Sequence, residues 1–563
     1  MLETVPKAGA LAHTDSWEIL PWRKLQRKVF RLQKRICRAS QEGNYRQVHA
    51  LQRLLLKSRA AKLLAVRRVT QDNRGKRTAG VDGKANLLPR ERLALAEGLA
   101  LDAKADKIRR VYIPKQNGEP RALGIPTIRE RARQALVKLV LEPEWEAKFE
   151  ANSYGFRPGR GTHDAIQAIF SAIRQGAKYV LDADIEKCFE RIRHEKLLAK
   201  LSTIKPIEKL VREWLKAGIV DGNETLFPEA GTPQGGVLSC LLANVALHGL
   251  EACVTEGYTT RDNKKHRLGR AFLIRYADDL VILHPSLDIL ETLRARAETF
   301  LQDIGLKLKP SKTRITHTLT PYNGEVGFDF LGFNVRQHEA GIHQSATVAT
   351  KDGAKALGFN TLIKPSKAAI KQHLYEVKQV IRSHRTAPRK ALITRLMPKV
   401  RGWTAYYATV SSKATFSSLD HHLNLKLLQW VRWRHHKNSL RRAVSLNFDY
   451  KWRLKDGDLH LPRYAETPIK RHTRVRGNKS PFDGDWIYWA SRLGKDPTCP
   501  TRVARLLKRQ RSKCGHCHLT FSTEDVLEIH HRDGDKQHNA FGNFLLVHGH
   551  CHDTLHRGAY DKG

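Results

Sequence analysis

Two adjacent acids, Asp278 and Asp279, lie inside Ile274-Arg275-Tyr276-Ala277-Asp278-Asp279-Leu280-Val281-Ile282, between two apolar runs of the kind that form strands. The pattern predicts a hairpin with both carboxylates at its tip. A solvated turn carries such a pair just as well, so the weight rests on a third acid. Asp184 stands at the end of a second apolar run, Tyr179-Val180-Leu181-Asp182-Ala183-Asp184-Ile185, and Phe189 follows shortly after. Carboxylates gathered from strand ends are what nucleotidyl transfer needs: two Mg2+ ions about 4 Å apart, one activating an attacking 3′-hydroxyl and one holding a triphosphate. In that chemistry Asp184 and Asp278 bridge the ions, and Asp279 is an auxiliary acid near the primer-side metal.

A different donor set closes the chain. Cys514-Gly515-His516-Cys517 and His548-Gly549-His550-Cys551 are two ligand pairs of i, i+3 spacing. Soft thiolates with imidazole in this pattern predict a closed tetrahedral zinc site that holds a small domain together. Cys514, Cys517, His548 and Cys551 are the expected ligands, with His550 able to replace His548. Inside that frame lie Glu528-Ile529-His530-His531, Asn543, and then His552 and His556, spaced to share one helical face. The remaining five cysteines, Cys37, Cys188, Cys240, Cys253 and Cys499, are scattered without disulfide-like spacing and read as reduced thiols.

These groups need a large scaffold, and 563 residues predict three or four domains. From Trp17 to about Thr70, apolar residues such as Val29, Leu32, Ile36, Leu51, Leu54 and Leu55 recur at helical spacing against Lys and Arg. From about Asn73 to Val335, short β-rich runs alternate with helical stretches, an α+β pattern. Helical patterning returns from Lys364 to His436, and a basic stretch broken by Pro and Gly, with the cluster Trp486-Ile487-Tyr488-Trp489, leads to the Cys/His segment. Lys and Arg number 100 against 56 acids, a formal charge of +44 spread along the chain. A surplus of that size self-repels without a polyanion, and its interleaving with apolar periodicity favours nucleic acid over a membrane surface. No apolar run is long enough to cross a bilayer, and Met1-Leu2-Glu3-Thr4 does not open a secretory signal, so an intracellular protein is expected.

Around the acids the chain carries, in order, Gly75–Gly83, Arg109–Lys115 with Gly124–Thr127, Tyr154–Arg160, Gly231–Gly236, Gly305–Leu308 with Lys312-Thr313, and Phe328–Phe333. With these motifs the acidic runs resemble the palm of reverse transcriptases, and nearly the whole chain is similar to group II intron-encoded proteins. The resemblance implies a multidomain α+β protein with right-hand polymerase fingers and palm. Residues 1–85 would be a basic helical extension, 86–345 fingers and palm, 346–440 an α-helical thumb (the maturase domain), 441–505 a DNA-binding segment or linker, and 506–563 an HNH endonuclease module with its zinc site. It implies that Lys115 and Arg121 meet the incoming triphosphate, that Phe189 stacks under its sugar and excludes a 2′-hydroxyl, and that Gln234 contacts template or nucleotide. The run Leu396–Tyr407 is similar to the heart of the maturase domain, with Arg401 beside Trp403 and Tyr406. The sequence departs from the family at Ser239-Cys240, where proline commonly follows the serine, and at Glu190, where aspartate is common; neither is a proposed metal ligand.

The C-terminal segment resembles the HNH nuclease fold, a ββα-metal module of hairpin and helix around one divalent ion. That resemblance implies that His530, His552 and His556 bind the ion, His531 is the general base, and Asn543 orients the loop carrying it. The expected partners are group II intron RNA, target double-stranded DNA and deoxynucleoside triphosphates, in a bacterial cytoplasm and at the nucleoid when acting on DNA. The competing expectations are a splicing maturase that only binds RNA and a zinc finger that only binds DNA. Asp184, Asp278, Asp279 and His531 count against the first, since a binder has no need of them, and His531 and Asn543 count against the second, since a purely structural finger needs neither.

Overall fold

The computed structural model describes residues 17–101, 104–114, 118, 120–258, 269–341, 345–350, 353–477, 479–497, 499–521 and 525–560. Three helices, Trp22–Gln41, Tyr45–Lys57 and Arg59–Arg67, occupy the stretch that the periodicity predicts as helical. Their apolar stripes, including Val29, Ile36, Leu55 and Val66, pack on the long helix Ile128–Lys148. Buried polar groups fix the register: Gln33 donates to the Leu139 carbonyl at 2.9 Å and Gln52 to Glu144 at 2.6 Å. The helices are therefore part of one core with the region that follows, with most of their basic residues exposed and Arg67 buried.

Two four-stranded sheets follow. One orders Pro120–Ile125, Ile108–Pro114, Ile219–Asp221 and Glu224–Leu226. The other is antiparallel throughout and orders Phe272–Tyr276, Asp279–His284, Tyr179–Asp184 and Arg314–His317. Successive side chains of a strand point to opposite faces, and here the two faces feed different cores. Leu181, Ala183, Leu280 and Ile282 join the core with the helix Leu287–Asp303, while Val180, Val281 and Leu283 join the core with the helix Thr162–Ile173. Covered on both faces, the sheet brings Asp184 and Asp279 together at one end, while Asp182, inside the strand, is half-buried and paired with Arg314 at 3.1 Å.

The second core continues into the helices Lys367–Ser383, Arg389–Tyr407 and Lys413–Arg434. Ser366 starts this bundle by accepting a hydrogen bond from the Ala369 N–H at 3.2 Å. Trp403 packs internally, its ring 5.0 Å from His373 and 4.4 Å from Tyr407. Two divisions expected from the sequence shift. The strand Phe359–Pro365 pairs along its whole length with Phe333–Glu339, so the chain crosses the 345/346 boundary within one sheet and the bundle proper begins at Lys367. The 441–505 stretch is packed more than a linker would be: Phe448, Leu454, Leu461, Tyr464 and Val475 are buried in the second core, and Arg160 donates to the carbonyls of Gly477 and Lys479. Its Pro and Gly interruptions break helix without preventing burial. Among the described residues, no helix is long and apolar enough to cross a membrane.

Candidate active site and metal centres

Asp184 and Asp279 are direct cross-strand partners at the ends of Tyr179–Asp184 and Asp279–His284. Asp278 sits in the turn between Tyr276 and Asp279, and its carbonyl accepts from the Ile185 N–H at 3.1 Å. The tip is held by strained and buried backbone. Ala277 has φ +58°, a left-handed conformation that a non-glycine residue adopts only when its surroundings impose it. Arg275, 1% exposed, imposes it: Nη1 donates to the Ala277 carbonyl at 3.1 Å and to Asn244 Oδ1 at 3.0 Å, and Nη2 donates to Ser153 Oγ at 2.8 Å.

Gly155 completes this support, since a Cβ there would stand 2.3 Å from the Ala277 nitrogen. Gly155→Ala is therefore expected to displace the acidic tip, costing about 1–3 kcal/mol of stability as overpacking does and lowering DNA synthesis out of proportion to the loss of folded protein. Melting curves and primer extension on the same preparation check this. A variant with wild-type extension would mean that the tip tolerates the shift.

The crowding of the three acids is visible in their electrostatics. Burial raises Asp279 to about 7, helped by Asp278 and Asp184, and burial raises Asp278 also. Such a cluster calls for a cation. Lys312 bonds directly to Asp184 and feels Asp279 and Asp278 as well, so an ammonium supplies that charge in this structure. Sequence reasoning quoted Lys312 within a motif without assigning it a role; its contact is made 128 positions along the chain from Asp184, which no local pattern reveals.

Arg121 and Gln234, expected separately as nucleotide contacts, meet at 3.1 Å, Nε to Oε1. The glycine pair explains how: the Gly124 N–H donates to the Gln234 carbonyl at 2.6 Å, and Gly235, at φ +110°, lies so close that a Cβ would stand 2.5 Å from the Gly124 carbonyl oxygen. Phe189, on the short helix Cys188–Arg191, is buried, 6.0 Å edge-to-face from the half-exposed Phe156. Lys115 lies outside the described residues.

At the C-terminus the strands Leu527–His531 and Phe544–His548 form an antiparallel hairpin followed by the helix Gly549–Tyr560. Two donor clusters result, each with ligand atoms within 4.8 Å of one another: Cys514, Cys517, His548 and Cys551 in one, His530, His552 and His556 in the other. Their composition fits a metal in both cases, three thiols with an imidazole suiting zinc and three imidazoles a borderline divalent ion. The geometry gathers His548 with the three cysteines, while His550 lies beside them, its Nδ1 2.7 Å from Asp72 and its Nε2 3.1 Å from Cys551 Sγ. His552 Nδ1 lies 2.8 Å from Glu528, leaving Nε2 toward its cluster. His531 stands apart from both clusters, packed 5.1 Å from Phe544, with its Nε2 buried and unpartnered. Asn543 staples the loop after it, donating to Asp533 Oδ1 at 2.8 Å and to the His538 carbonyl at 3.0 Å.

Comparison with known proteins gives three family matches. Residues 17–99 match the N-terminal domain of reverse transcriptase, 113–335 the reverse transcriptase (RNA-dependent DNA polymerase), and 370–447 the group II intron, maturase-specific domain. The chain is 30% identical over 346 residues to protein YkfC of Escherichia coli K12, covering 55% of this chain and 89% of that protein. It is 26% identical over 502 residues to the group II intron-encoded protein LtrA of Lactococcus lactis, covering 75% of this chain and 80% of LtrA. Maturase-like protein 1 of Euglena gracilis is 29% identical over 397 residues, 69% of this chain and 76% of that protein. A reverse transcriptase domain is thus followed by a maturase-specific domain, and the chain belongs to the group II intron reverse transcriptase and maturase family.

Proposed function

We propose that this protein copies RNA into DNA at Asp184, Asp278 and Asp279, assists splicing of a group II intron RNA, and nicks target DNA with its C-terminal module to make the primer. The observation that carries the polymerase reading is the acidic strand-end pair, Asp184 opposite Asp279 with Asp278 in the adjoining turn. In this reading the two four-stranded sheets are fingers and palm of a right hand, and the helices from Lys367 to Arg434 are its thumb. Two Mg2+ ions at the acids would activate the primer 3′-hydroxyl and neutralise the triphosphate. Arg121 offsets charge building on the departing pyrophosphate, and Gln234, which orients it, faces the template or the nucleotide. Asp279, raised by burial and then by its acidic neighbours, acts as the auxiliary acid.

Phe189 is the sugar gate in this reading, resting on Phe156 beneath the deoxyribose. Phe189→Val should therefore admit ribonucleotides, with the ratio of ribo- to deoxynucleotide efficiency rising about 10-fold or more, a change of ~1.4 kcal/mol. Single-nucleotide incorporation with both sugars measures it, and an unchanged ratio removes the gate assignment.

For the C-terminal module the reading is an HNH nuclease of ββα-metal type, supported by the hairpin, the helix and the triple-histidine cluster. His530, His552 and His556 hold the divalent ion, which would polarise the scissile phosphate. His531 takes the proton of the attacking water and Asn543 holds the loop behind it. Cys514, Cys517, His548 and Cys551 hold a structural zinc. The bacterial relatives favour action in a bacterial cytoplasm, on intron RNA and at nucleoid DNA. Purified protein with Mg2+, deoxynucleotides and a primed RNA template should yield full-length cDNA. Strong RNA binding without any extension would establish the binding-only maturase instead.

A further inference from the structure

The cysteine cluster does not face the C-terminal module alone. Arg67, the last residue of the helix Arg59–Arg67, is 1% exposed, and its Nη2 points at the thiols, 3.3 Å from Cys517 Sγ and 4.0 Å from Cys551 Sγ. The same nitrogen contacts the His550 ring, and the guanidinium lies over Trp22, 4.6 Å from the ring centre. The next five residues, Arg68–Asp72, form a π-helical turn. This wide turn, a feature frequent at functional sites, brings Asp72 back beside Arg67, with Oδ1 at 3.6 Å from Arg67 Nε and 2.7 Å from His550 Nδ1.

The surrounding contacts cross the same seam. Gln26 exchanges two hydrogen bonds with the Thr520 backbone, at 3.0 and 3.3 Å. Arg68 reaches Asp525, 3.8 Å away, and Asp525 also stands 3.4 Å from His548 Nε2, the ring nitrogen turned away from Cys517. Leu519 is buried in the main core with the N-terminal helices, and Cys517 packs against both that core and the module's own.

A buried guanidinium is costly unless its charge is answered. Asp72 answers part of it, yet Nη1 has no hydrogen-bond partner among the described residues, and Nη2 reaches the His550 ring and the Cys517 sulfur together. Three thiolates and one imidazole around a divalent zinc carry a net charge of −1, which the Arg67 guanidinium, shared with Asp72, offsets in part. Donors to metal-bound thiolates also tune and retain the metal. We propose that the cysteine cluster, loaded with zinc, is the joint that docks the C-terminal module onto the N-terminal helices of the polymerase, with Arg67 as its positioning residue. Zinc then does more than fold the module: it fixes the position of the triple-histidine site relative to the acidic strand ends. The proposal rests on reading Cys514, Cys517, His548 and Cys551 as zinc ligands.

The test uses the full chain. Wild-type protein should contain zinc that is lost in Cys514→Ala; zinc content indifferent to that change sinks the ligand reading and the joint together. With zinc present, Arg67→Met should release it to a chelator about 10-fold faster, and Arg67→Lys, which keeps the charge without the planar fork, should fall between. Hydrogen exchange should show protection lost together in residues 59–72 and 513–521, while the palm strand Tyr179–Asp184 stays protected as a control for folding. Should Arg67→Met not fold, stripping zinc from the wild-type chain asks the same question. Loss of protection in residues 59–72 on zinc removal supports the joint. Unchanged zinc release in the Arg67 variants, or exchange confined to the C-terminal module on zinc removal, overturns the joint and leaves the ligand assignment standing.

Discussion

Asp278→Ala is expected to abolish cDNA synthesis, lowering primer extension by about 10^3-fold or more, while binding to intron RNA and RNA splicing stay near wild type. The magnitude follows from chemistry: a metal pair stabilises transition-state charge by several kcal/mol, and each 1.4 kcal/mol is tenfold in rate. The selectivity follows from structure. Asp278 lies in a turn whose conformation is imposed through the Arg275 contact to the Ala277 carbonyl, and the Asp278 contribution to that frame is its backbone carbonyl, which alanine keeps. Removing the side chain also relieves the like-charge crowding that raises Asp279, so the fold should not suffer. Extension on a primed template, RNA binding and splicing would be measured on one preparation. Parallel loss of all three would mean that this acid is structural.

The second large effect separates the two metal centres of the C-terminal module. His531→Ala should reduce strand nicking by about 10^2–10^4-fold, the range for losing a general base, with zinc content and module fold unchanged. His531 lies outside both donor clusters, and its Nε2 has no hydrogen-bond partner among the described residues. Cys514→Ala should instead lower zinc content and unfold the module, because the sulfur is buried in the module's core and metal-binding energy there is folding energy. Extension from a pre-nicked primer should survive His531→Ala in full. A His531→Ala protein that nicks normally, or a Cys514→Ala protein that keeps its zinc, would reverse the partition of roles between the two residues.

Much of this molecule is legible in its sequence because the signals are local. Period-2 runs ending in acids place Asp184 and Asp278-Asp279 at strand ends, and the strands Tyr179–Asp184 and Asp279–His284 carry them there. Two i, i+3 ligand pairs and a His552/His556 helical spacing predict two donor sets, and the side chains gather into those two sets. Each such signal needs only a turn of helix or a strand end to be realised, so neighbours in sequence suffice.

What the tertiary structure alone decided is how distant elements answer one another's charge and close one another's surfaces. Spacing leaves both His548 and His550 open as partners of the cysteines; the fold gathers His548 with the three thiols and sets His550 between Asp72, far away in the chain, and Cys551. The ammonium on Asp184 arrives from Lys312, and the Arg121–Gln234 pair forms because the backbones at Gly124 and Gly235 approach each other closely. The stretch 441–505 reads as a DNA-binding segment or linker because it is basic and interrupted by Pro and Gly, and Phe448, Leu454, Leu461, Tyr464 and Val475 within it are buried because Tyr154–Arg160 and the helices from Lys367 to Arg434 offer partners. Arg67 is one cation among many in a chain of +44 formal charge, and nothing in its neighbours marks it. Burial against thiols that follow about 450 residues later distinguishes it, because the desolvation of a charge depends on what surrounds it in space, and sequence periodicity reports only what surrounds it along the chain.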